Sequence, residues 1–327
     1  MTTCSRKNRL HGIFLYKKWI IAMSQSKDIS KKLYQPQNTP CIGIYEKALP
    51  NQLLWQDKLK VTKELGFDFI EISIDESDER RARLDWSDDE IYSLRHQCEK
   101  IGIPLHSMCL SAHRKYPFGS ANNDIRNEAK IIMDKAITLA YKLGVRVIQL
   151  AGYDVYYEPA DLQTHQRFIQ GMQWAVKQAE RAGVMLAVEI MDTPYLNSLS
   201  KFEILKKNID SPYFMAYPDV GNITGWNYDT CTELMLSCDH IVQIHLKDTF
   251  KVKADYSGQF RNLIIGEGEV DFDAIFNTLR AMNYVAPLVI EMWAKDEKWQ
   301  DNIIIAQSRL KKIGENANYP LFSALNN

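Results

Sequence analysis

The sequence lacks an excess of charge of either sign. It has 40 basic and 41 acidic residues among 327, a formal net charge of −1. No global field therefore favours nucleic acid or an anionic membrane surface. A long apolar run is also missing, because the one at residues 19–23 is far below the about 18 residues of a membrane span. We expect no nucleic-acid partner and no membrane partner.

Paired metal-binding and redox motifs are missing as well. The six cysteines form no Cys-x-x-Cys pair, and the histidines form no His-x-x-x-His pair. This favours reduced thiols in a cytoplasmic protein over a disulfide framework or a zinc knuckle. No Gly-x-Gly-x-x-Gly segment follows the first predicted strand, as an open doubly wound sheet that binds a dinucleotide would require.

What the sequence does contain is an alternation of short apolar segments and amphipathic ones, repeated eight times from Cys41 onward. Apolar residues at spacings of three and four predict a helix over residues 124–143, and Gly144 predicts its end. Strict alternation implies a parallel sheet, and eight units predict closure into a (β/α)8 TIM barrel. No linker composition interrupts residues 41–315, so a single domain is expected, with the open sheet as the alternative.

The ends of the chain are predicted separately from the barrel. We expect residues 1–40 to form a poorly ordered N-terminal extension and residues 319–327 a tail. The barrel would occupy residues 41–318, with a metal site at its C-terminal face. Met23 is a second candidate start, in which case residues 1–22 are not part of the natural protein.

The last four predicted strands each end on a side chain that can bind a metal ion: Glu189, Asp219, His245 and Glu291. In a parallel barrel these strand ends gather at one rim. One such residue fits a strand that simply reaches solvent, but four in consecutive strands favour a shared divalent ion, since a buried charge is costly when unpaired. Three carboxylates and one imidazole suit Zn²⁺ or Mn²⁺, with Mg²⁺ as an alternative.

This ligand set predicts proton chemistry on a sugar. A divalent ion polarises a carbonyl and acidifies the neighbouring carbon. Glu189 and Glu291 are separated by two strands around the ring, so they can approach that carbon from opposite sides. One would remove a proton and the other return one, which epimerises the carbon through an enediolate. Both glutamates would then serve as ligand and as acid or base.

Four segments carry a resemblance to a known family: residues 43–50, 107–114, 147–157 and 289–293. They resemble the L-ribulose-5-phosphate 3-epimerases (L-xylulose-5-phosphate 3-epimerases) of bacterial ascorbate and pentose catabolism. That family is similar to the ketose 3-epimerases and xylose isomerases, which share a barrel and a Glu/Asp/His/Glu metal site.

The resemblance implies that Glu189, Asp219, His245 and Glu291 are the metal ligands and that the two glutamates are catalytic. It implies a cytoplasmic isomerase that interconverts L-ribulose 5-phosphate and L-xylulose 5-phosphate. A homodimer is compatible with the sequence, which leaves the oligomeric state open. Free-ketose epimerases carry His three residues after the Asp ligand, where this chain has Asn222. This difference fits a substrate that is held differently.

The phosphorylated ketopentose needs cations or backbone N–H groups near the barrel mouth. Arg114 follows strand three, whereas Lys247 and Arg261 lie in the long segment after strand seven, which also contains Gly266-Glu267-Gly268. For each cation the alternative is a solvated loop charge. Glu46 and Gln149, at earlier strand ends, are hypotheses for binding sugar hydroxyls.

Three other functions remain open at this point. An aldose–ketose isomerase would move hydrogen between carbons 1 and 2. A repair endonuclease on the same barrel would need more histidines and a basic face for the nucleic-acid backbone. A barrel that binds sugar without turning it over would need no pair of opposed glutamates.

Overall fold

The computed structural model describes residues 39–322. Eight strands form one parallel sheet in the order β6-β5-β4-β3-β2-β1-β8-β7. Their bounds are β1 Ile42–Tyr45, β2 Phe69–Ile74, β3 Leu105–Leu110, β4 Val147–Ala151, β5 Met185–Glu189, β6 Phe214–Tyr217, β7 Ile244–Leu246 and β8 Leu288–Ile290. Parallel bridges Ala216↔Ile241 and Asp219↔His245 join the two ends of this sheet. The predicted (β/α)8 barrel is therefore confirmed.

Ten α-helices lie between and after the strands in the described part of the chain. Their bounds are α1 Trp55–Glu64, α2 Asp78–Arg81, α3 Asp88–Ile101, α4 Asn123–Leu143, α5 Leu162–Ala182, α6 Leu199–Lys206, α7 Val220–Gly225, α8 Thr230–Leu236, α9 Phe272–Ala281 and α10 Trp299–Asn316. Helices α3, α4 and α5 end at left-handed glycines Gly102, Gly144 and Gly183, as the sequence predicts. The short helices α2 and α7 were not predicted. None of these helices is both long and apolar enough to span a membrane.

The two ends of the barrel interior differ in polarity. Near the N-terminal ends of the strands the interior is apolar, and Phe69 fills so much of it that a Cβ on Gly43 would stand 2.2 Å from the Phe69 ring. Further along the strands the interior becomes polar. Six fully buried polar side chains lie there: Glu71, Ser73, Ser107, Gln149, Gln243 and His245. Buried polar groups need hydrogen-bond partners, so this layer forms an ordered network.

The predicted terminal segments are only partly described. The predicted extension, residues 1–40, lies outside the described residues apart from Thr39 and Pro40. In the segment predicted as a tail, Tyr319 and Leu321 are buried. The Tyr319 hydroxyl donates to the carbonyl oxygen of Tyr284 at 2.8 Å, which attaches this stretch to the barrel.

Glu46, just after β1, belongs to a buried cluster of charged side chains and does not face the barrel mouth. Both guanidinium Nη atoms of Arg83 contact its carboxylate, at 2.6 and 2.9 Å, and the Lys58 ammonium donates to it at 2.8 Å. The backbone N–H of Ser73 donates to it as well, at 2.9 Å. With four donors bound, this carboxylate has no role with a sugar hydroxyl. Burial alone would raise the pKa of Glu46, but Arg83 and Lys58 outweigh burial and lower it to about 2.

Replacing Glu46 with Gln should lower the free energy of unfolding at pH 7 by about 3–5 kcal/mol, because two buried cations lose their counter-charge. The folded-state pKa lies below the ordinary value of 4.5. The stabilisation is therefore complete above about pH 4.5 and is lost as the pH falls toward about 2. Urea denaturation across this range measures it, with the exposed Glu64→Gln on α1 as control. A wild-type advantage that stays constant from pH 7 to pH 3 would contradict the prediction.

Candidate metal centre

Four side chains from β5 to β8 meet at the C-terminal rim of the barrel. Glu189 is the last residue of β5, His245 lies within β7, and Glu291 follows β8 directly. Asp219 follows β6 and caps α7, where its carboxylate accepts from the backbone N–H of Asn222 at 2.9 Å. All four are buried, and one ligand atom from each lies within 4.8 Å of the others. The structure thus brings together the four residues on which the sequence hypothesis depends.

The imidazole of His245 contacts carboxylates on both of its nitrogen atoms. Its Nδ1 atom lies 3.1 Å from Glu189 Oε1 and 3.8 Å from Glu291 Oε2. On the other side of the ring, Nε2 lies 2.7 Å from Glu71 Oε1. The amide of Gln149 donates to the second oxygen of Glu189. Gln149 therefore orients a carboxylate of the site, which leaves its predicted contact with a sugar hydroxyl without support.

Lys247 brings a buried positive charge into the same cluster. Its ammonium lies 2.7 Å from Asp219 Oδ2 and 3.2 Å from Glu291 Oε2, and it donates to Asn222 Oδ1 at 2.8 Å. The Asn222 amide in turn donates to the carbonyl oxygen of Ile190 at 2.8 Å. Lys247 and Asn222 thus contact the carboxylates of the site, and both also line the pocket above it.

The pKa shifts show a shortage of positive charge. Burial raises the pKa values of Glu189 and Asp219, and the neighbouring Glu291 carboxylate adds to both effects. Burial also acts on Glu291, but Lys247 and His245 outweigh it and lower the pKa of that carboxyl to about 2. Three buried carboxylates around one imidazole and one ammonium repel one another, so further positive charge at the site would favour their ionised forms.

The donor set fits a divalent cation. Asp219 Oδ2 and Glu291 Oε2 are buried oxygen atoms that receive no well-directed hydrogen bond, although the Lys247 ammonium is near both. Opposite ligands of an ion that binds oxygen at about 2.1 Å lie about 4.2 Å apart, so the observed span suits a single ion. This group could hold a metal ion, with oxygen and nitrogen ligands only.

The pocket above these residues is lined by four cationic side chains, Lys47, Arg114, Lys247 and Arg261. Arg114 is stacked over the rings of Tyr153 and Tyr156, 5.8 and 5.0 Å from their centroids. Its Nε atom is buried without a partner, and its nearest carboxylate, on Glu76, is 3.8 Å away.

The other two cations at the mouth are paired with carboxylates. The Arg261 guanidinium lies 3.6 Å from Asp192 Oδ2, and Lys47 Nζ lies 2.6 Å from Asp75 Oδ2. The sequence analysis did not single out Lys47, although it lies within the family-like segment 43–50. Of these three cations, Arg114 has the longest contact with a carboxylate and the only buried nitrogen atom without a partner.

The glycine segment after β7 already holds a carboxylate. Asp248 accepts hydrogen bonds from the backbone N–H groups of Gly266 and Gly268, both at 2.8 Å. It also accepts from those of Thr249 at 2.9 Å and Val270 at 3.2 Å. The N–H groups of Gly266 and Gly268 are thus occupied, which argues against a phosphate contact at these glycines. Asp248 instead anchors the segment that carries Arg261.

Comparison with known proteins gives a consistent family. A sequence model described as xylose isomerase-like TIM barrel matches residues 59–313. A putative L-ribulose-5-phosphate 3-epimerase of Escherichia coli (strain K12) is 52% identical over 257 residues, which covers 79% of this chain and 90% of that protein. An L-ribulose-5-phosphate 3-epimerase of Escherichia coli (strain ATCC 8739) is 47% identical over 254 residues, covering 78% and 87% of the two chains.

Solved structures share the fold at low sequence identity. An L-ribulose 3-epimerase aligns with a TM-score of 0.66 and 19% identity, over 88% of this chain and 99% of that one. A D-psicose 3-epimerase from Clostridium cellulolyticum H10, solved with D-tagatose, aligns with a TM-score of 0.68 and 18% identity, over 86% and 100%.

Replacing Asp248 with Asn should loosen the segment from Thr249 to Val270. The new amide would point N–H groups at backbone N–H groups, and unsatisfied buried donors cost about 1–3 kcal/mol. Hydrogen exchange followed by mass spectrometry should show faster exchange in this segment and little change in the strands. The exposed Asp255→Asn in the same segment is the matched control. Equal exchange in both variants would show that Asp248 is not the anchor.

Proposed function

Because the chain belongs to the xylose isomerase-like TIM barrel family and, within it, to the L-ribulose-5-phosphate 3-epimerases, we propose that it interconverts L-ribulose 5-phosphate and L-xylulose 5-phosphate. The reaction would be proton exchange at C3, as a step of ascorbate and pentose catabolism. The observation that carries this proposal is the pair Glu189 and Glu291, whose buried carboxylates face one shared site from β5 and β8.

The proposed cofactor is one divalent ion held by Glu189, Asp219, His245 and Glu291. Zn²⁺ and Mn²⁺ suit this mixed oxygen and nitrogen set best, with Mg²⁺ as an alternative. When bound, the ion polarises the substrate carbonyl next to C3 and so makes the C3 proton more acidic.

The two glutamates move the proton. One carboxylate removes the proton from C3, the electron pair of the C–H bond delocalises into the carbonyl as an enediolate, and the other carboxyl group delivers a proton to the opposite face. C3 is thereby inverted, and the two glutamates have exchanged protonation states. Gln149 holds the carboxylate of Glu189, whereas Lys247 lies beside that of Glu291.

We assign the phosphate to Arg114. Its guanidinium lines the pocket, its Nε atom has no partner, and its one carboxylate contact, with Glu76, is 3.8 Å long, so a phosphate would gain a charge-assisted hydrogen bond. Arg261 is a second candidate from the opposite wall. Lys247 and Asn222, which contact Asp219 and Glu291, are assigned to the reacting end of the substrate.

The proposed chemistry predicts that deuterium from D₂O enters C3 of the ketose, as mass spectrometry and NMR would detect. Glu189→Gln and Glu291→Gln should each reduce kcat by at least about 10³-fold, since each removes a proton carrier. The exposed Glu297→Gln should retain wild-type activity. Deuterium that enters C1 or C2 instead would identify an aldose–ketose isomerase and contradict the epimerase.

The phosphate assignment predicts a change in substrate preference. Arg114→Met keeps most of the apolar stem against Tyr153 and Tyr156 but removes the charge. KM for L-ribulose 5-phosphate should rise by about 10–100-fold, because a charge-assisted hydrogen bond contributes about 1.5–3 kcal/mol. Activity on unphosphorylated L-ribulose should not change. The neighbouring, exposed Lys115→Met is the control, and an unaltered KM in Arg114→Met would refute the assignment.

A further inference from the structure

A fifth carboxylate, Glu71, lies beneath the candidate metal centre. It stands in the middle of β2, is fully buried, and is not one of the four clustered ligand residues. Its Oε1 atom lies 2.7 Å from His245 Nε2. Its Oε2 atom accepts hydrogen bonds from the hydroxyl groups of Ser107 and Tyr217, both at 2.7 Å.

The backbone is shaped to bring these partners together. The pairing of β2 with β3 shifts register between Ile70 and Glu71, so that Ile70 pairs with Leu105 but Glu71 pairs with Ser107. Such an irregularity re-aims the side chains that follow it. Here it places Ser107 inside the barrel directly beside the Glu71 carboxylate.

A fourth residue sets the direction of the hydrogen bonds. The amide nitrogen of Gln243 donates to Ser107 Oγ at 2.8 Å and to Tyr217 Oη at 2.9 Å. Because both hydroxyl oxygens accept from this amide, their own protons are free to point at Glu71. The carboxylate thus receives two hydroxyl donors on one oxygen, and its other oxygen is directed at His245.

Nothing else in the described residues compensates the charge of Glu71. No lysine or arginine within residues 39–322 pairs with it, and its only ion-pair partner there is His245. A buried carboxylate without a cationic partner is costly. A cation bound on the far side of the His245 ring would offset this cost, because the imidazole would transmit the negative charge of Glu71 to it.

The ring geometry makes that connection. With Nε2 donating to Glu71, the N–H of a neutral imidazole is fixed on the lower side and the lone pair of Nδ1 faces Glu189 and Glu291. A carboxylate behind a ligating histidine fixes its tautomer and its orientation and makes it a stronger ligand.

We propose that Glu71 is a positioning residue that holds His245 with Nδ1 toward the metal ion, and that Ser107, Tyr217 and Gln243 hold Glu71 in turn. The proposal rests on the metal site of the proposed function. In this proposal, the polar layer inside the barrel helps to set both the affinity for the ion and its coordination.

The test is the affinity of purified, metal-free protein for Mn²⁺, measured by the electron paramagnetic resonance signal of the free ion. Glu71→Gln should bind Mn²⁺ about 10–100-fold more weakly than wild type, the range for loss of such a partner. Glu233→Gln is the matched control, because the Glu233 carboxylate is also buried but accepts its hydrogen bond from Ser200, outside the candidate metal centre. It should bind Mn²⁺ like wild type.

A second readout separates positioning from general destabilisation. The visible spectrum of the Co²⁺-loaded protein reports the ligand set, and it should change in Glu71→Gln but not in Glu233→Gln, even where both unfold at lower temperature. If Glu71→Gln does not fold, Tyr217→Phe removes one donor to Glu71 and should weaken Mn²⁺ binding by about 3–10-fold.

The outcomes are distinct. Wild-type Mn²⁺ affinity and an unchanged Co²⁺ spectrum in Glu71→Gln, or wild-type affinity in Tyr217→Phe, would overturn the role of Glu71 alone. If the wild-type protein bound none of Mn²⁺, Zn²⁺ and Mg²⁺, the metal-dependent function would fail together with this inference.

Discussion

The constraint on which the site depends is the burial of negative charge at one end of the barrel. Glu71, Glu189, Asp219 and Glu291 are all buried within one connected cluster, and within residues 39–322 the only basic side chains in contact with them are His245 and Lys247. Burial of unbalanced carboxylates opposes folding. A divalent ion bound in this cluster would relieve this opposition, so the same charges that weaken the metal-free barrel would favour binding of the ion.

The rest of the barrel is divided according to this constraint. Near the N-terminal strand ends, apolar side chains such as Phe69, Val147 and Met185 fill the interior. Above them, Gln243, Ser107 and Tyr217 form hydrogen bonds that end at Glu71. The apolar packing at the N-terminal end of the barrel and the hydrogen bonds of the polar layer together hold the residues of the C-terminal rim in place. This matters because a small displacement of a rim carboxylate would alter its distance to a reacting carbon.

The fold and the four rim residues could be predicted because their signals are local. A strand that ends on Glu189 and a helix that ends on Gly144 are visible within a few residues of sequence. Glu71 was missed because its partner His245 is 174 positions away and because the register shift in β3 has no sequence signal. Its one local sign is an ionisable residue between Ile70 and Ile72, inside a strand otherwise suited to burial. The occupation of the Gly268 N–H group by Asp248 was missed for a related reason, since the two residues are 20 positions apart.

The positive charges of the pocket divide into two groups with different chemical roles. Lys247 is buried and contacts Asp219, Glu291 and Asn222, so its positive charge compensates the carboxylates of the candidate metal centre. Arg114 is stacked on tyrosines and nearly free of carboxylates, so its charge is available to a ligand. In the proposed function, Arg114 would bind the phosphate, while Lys247 would stay with the carboxylates that would hold the ion. The different partners of these two cations fit a substrate that carries its phosphate at one end and its reacting carbon at the other.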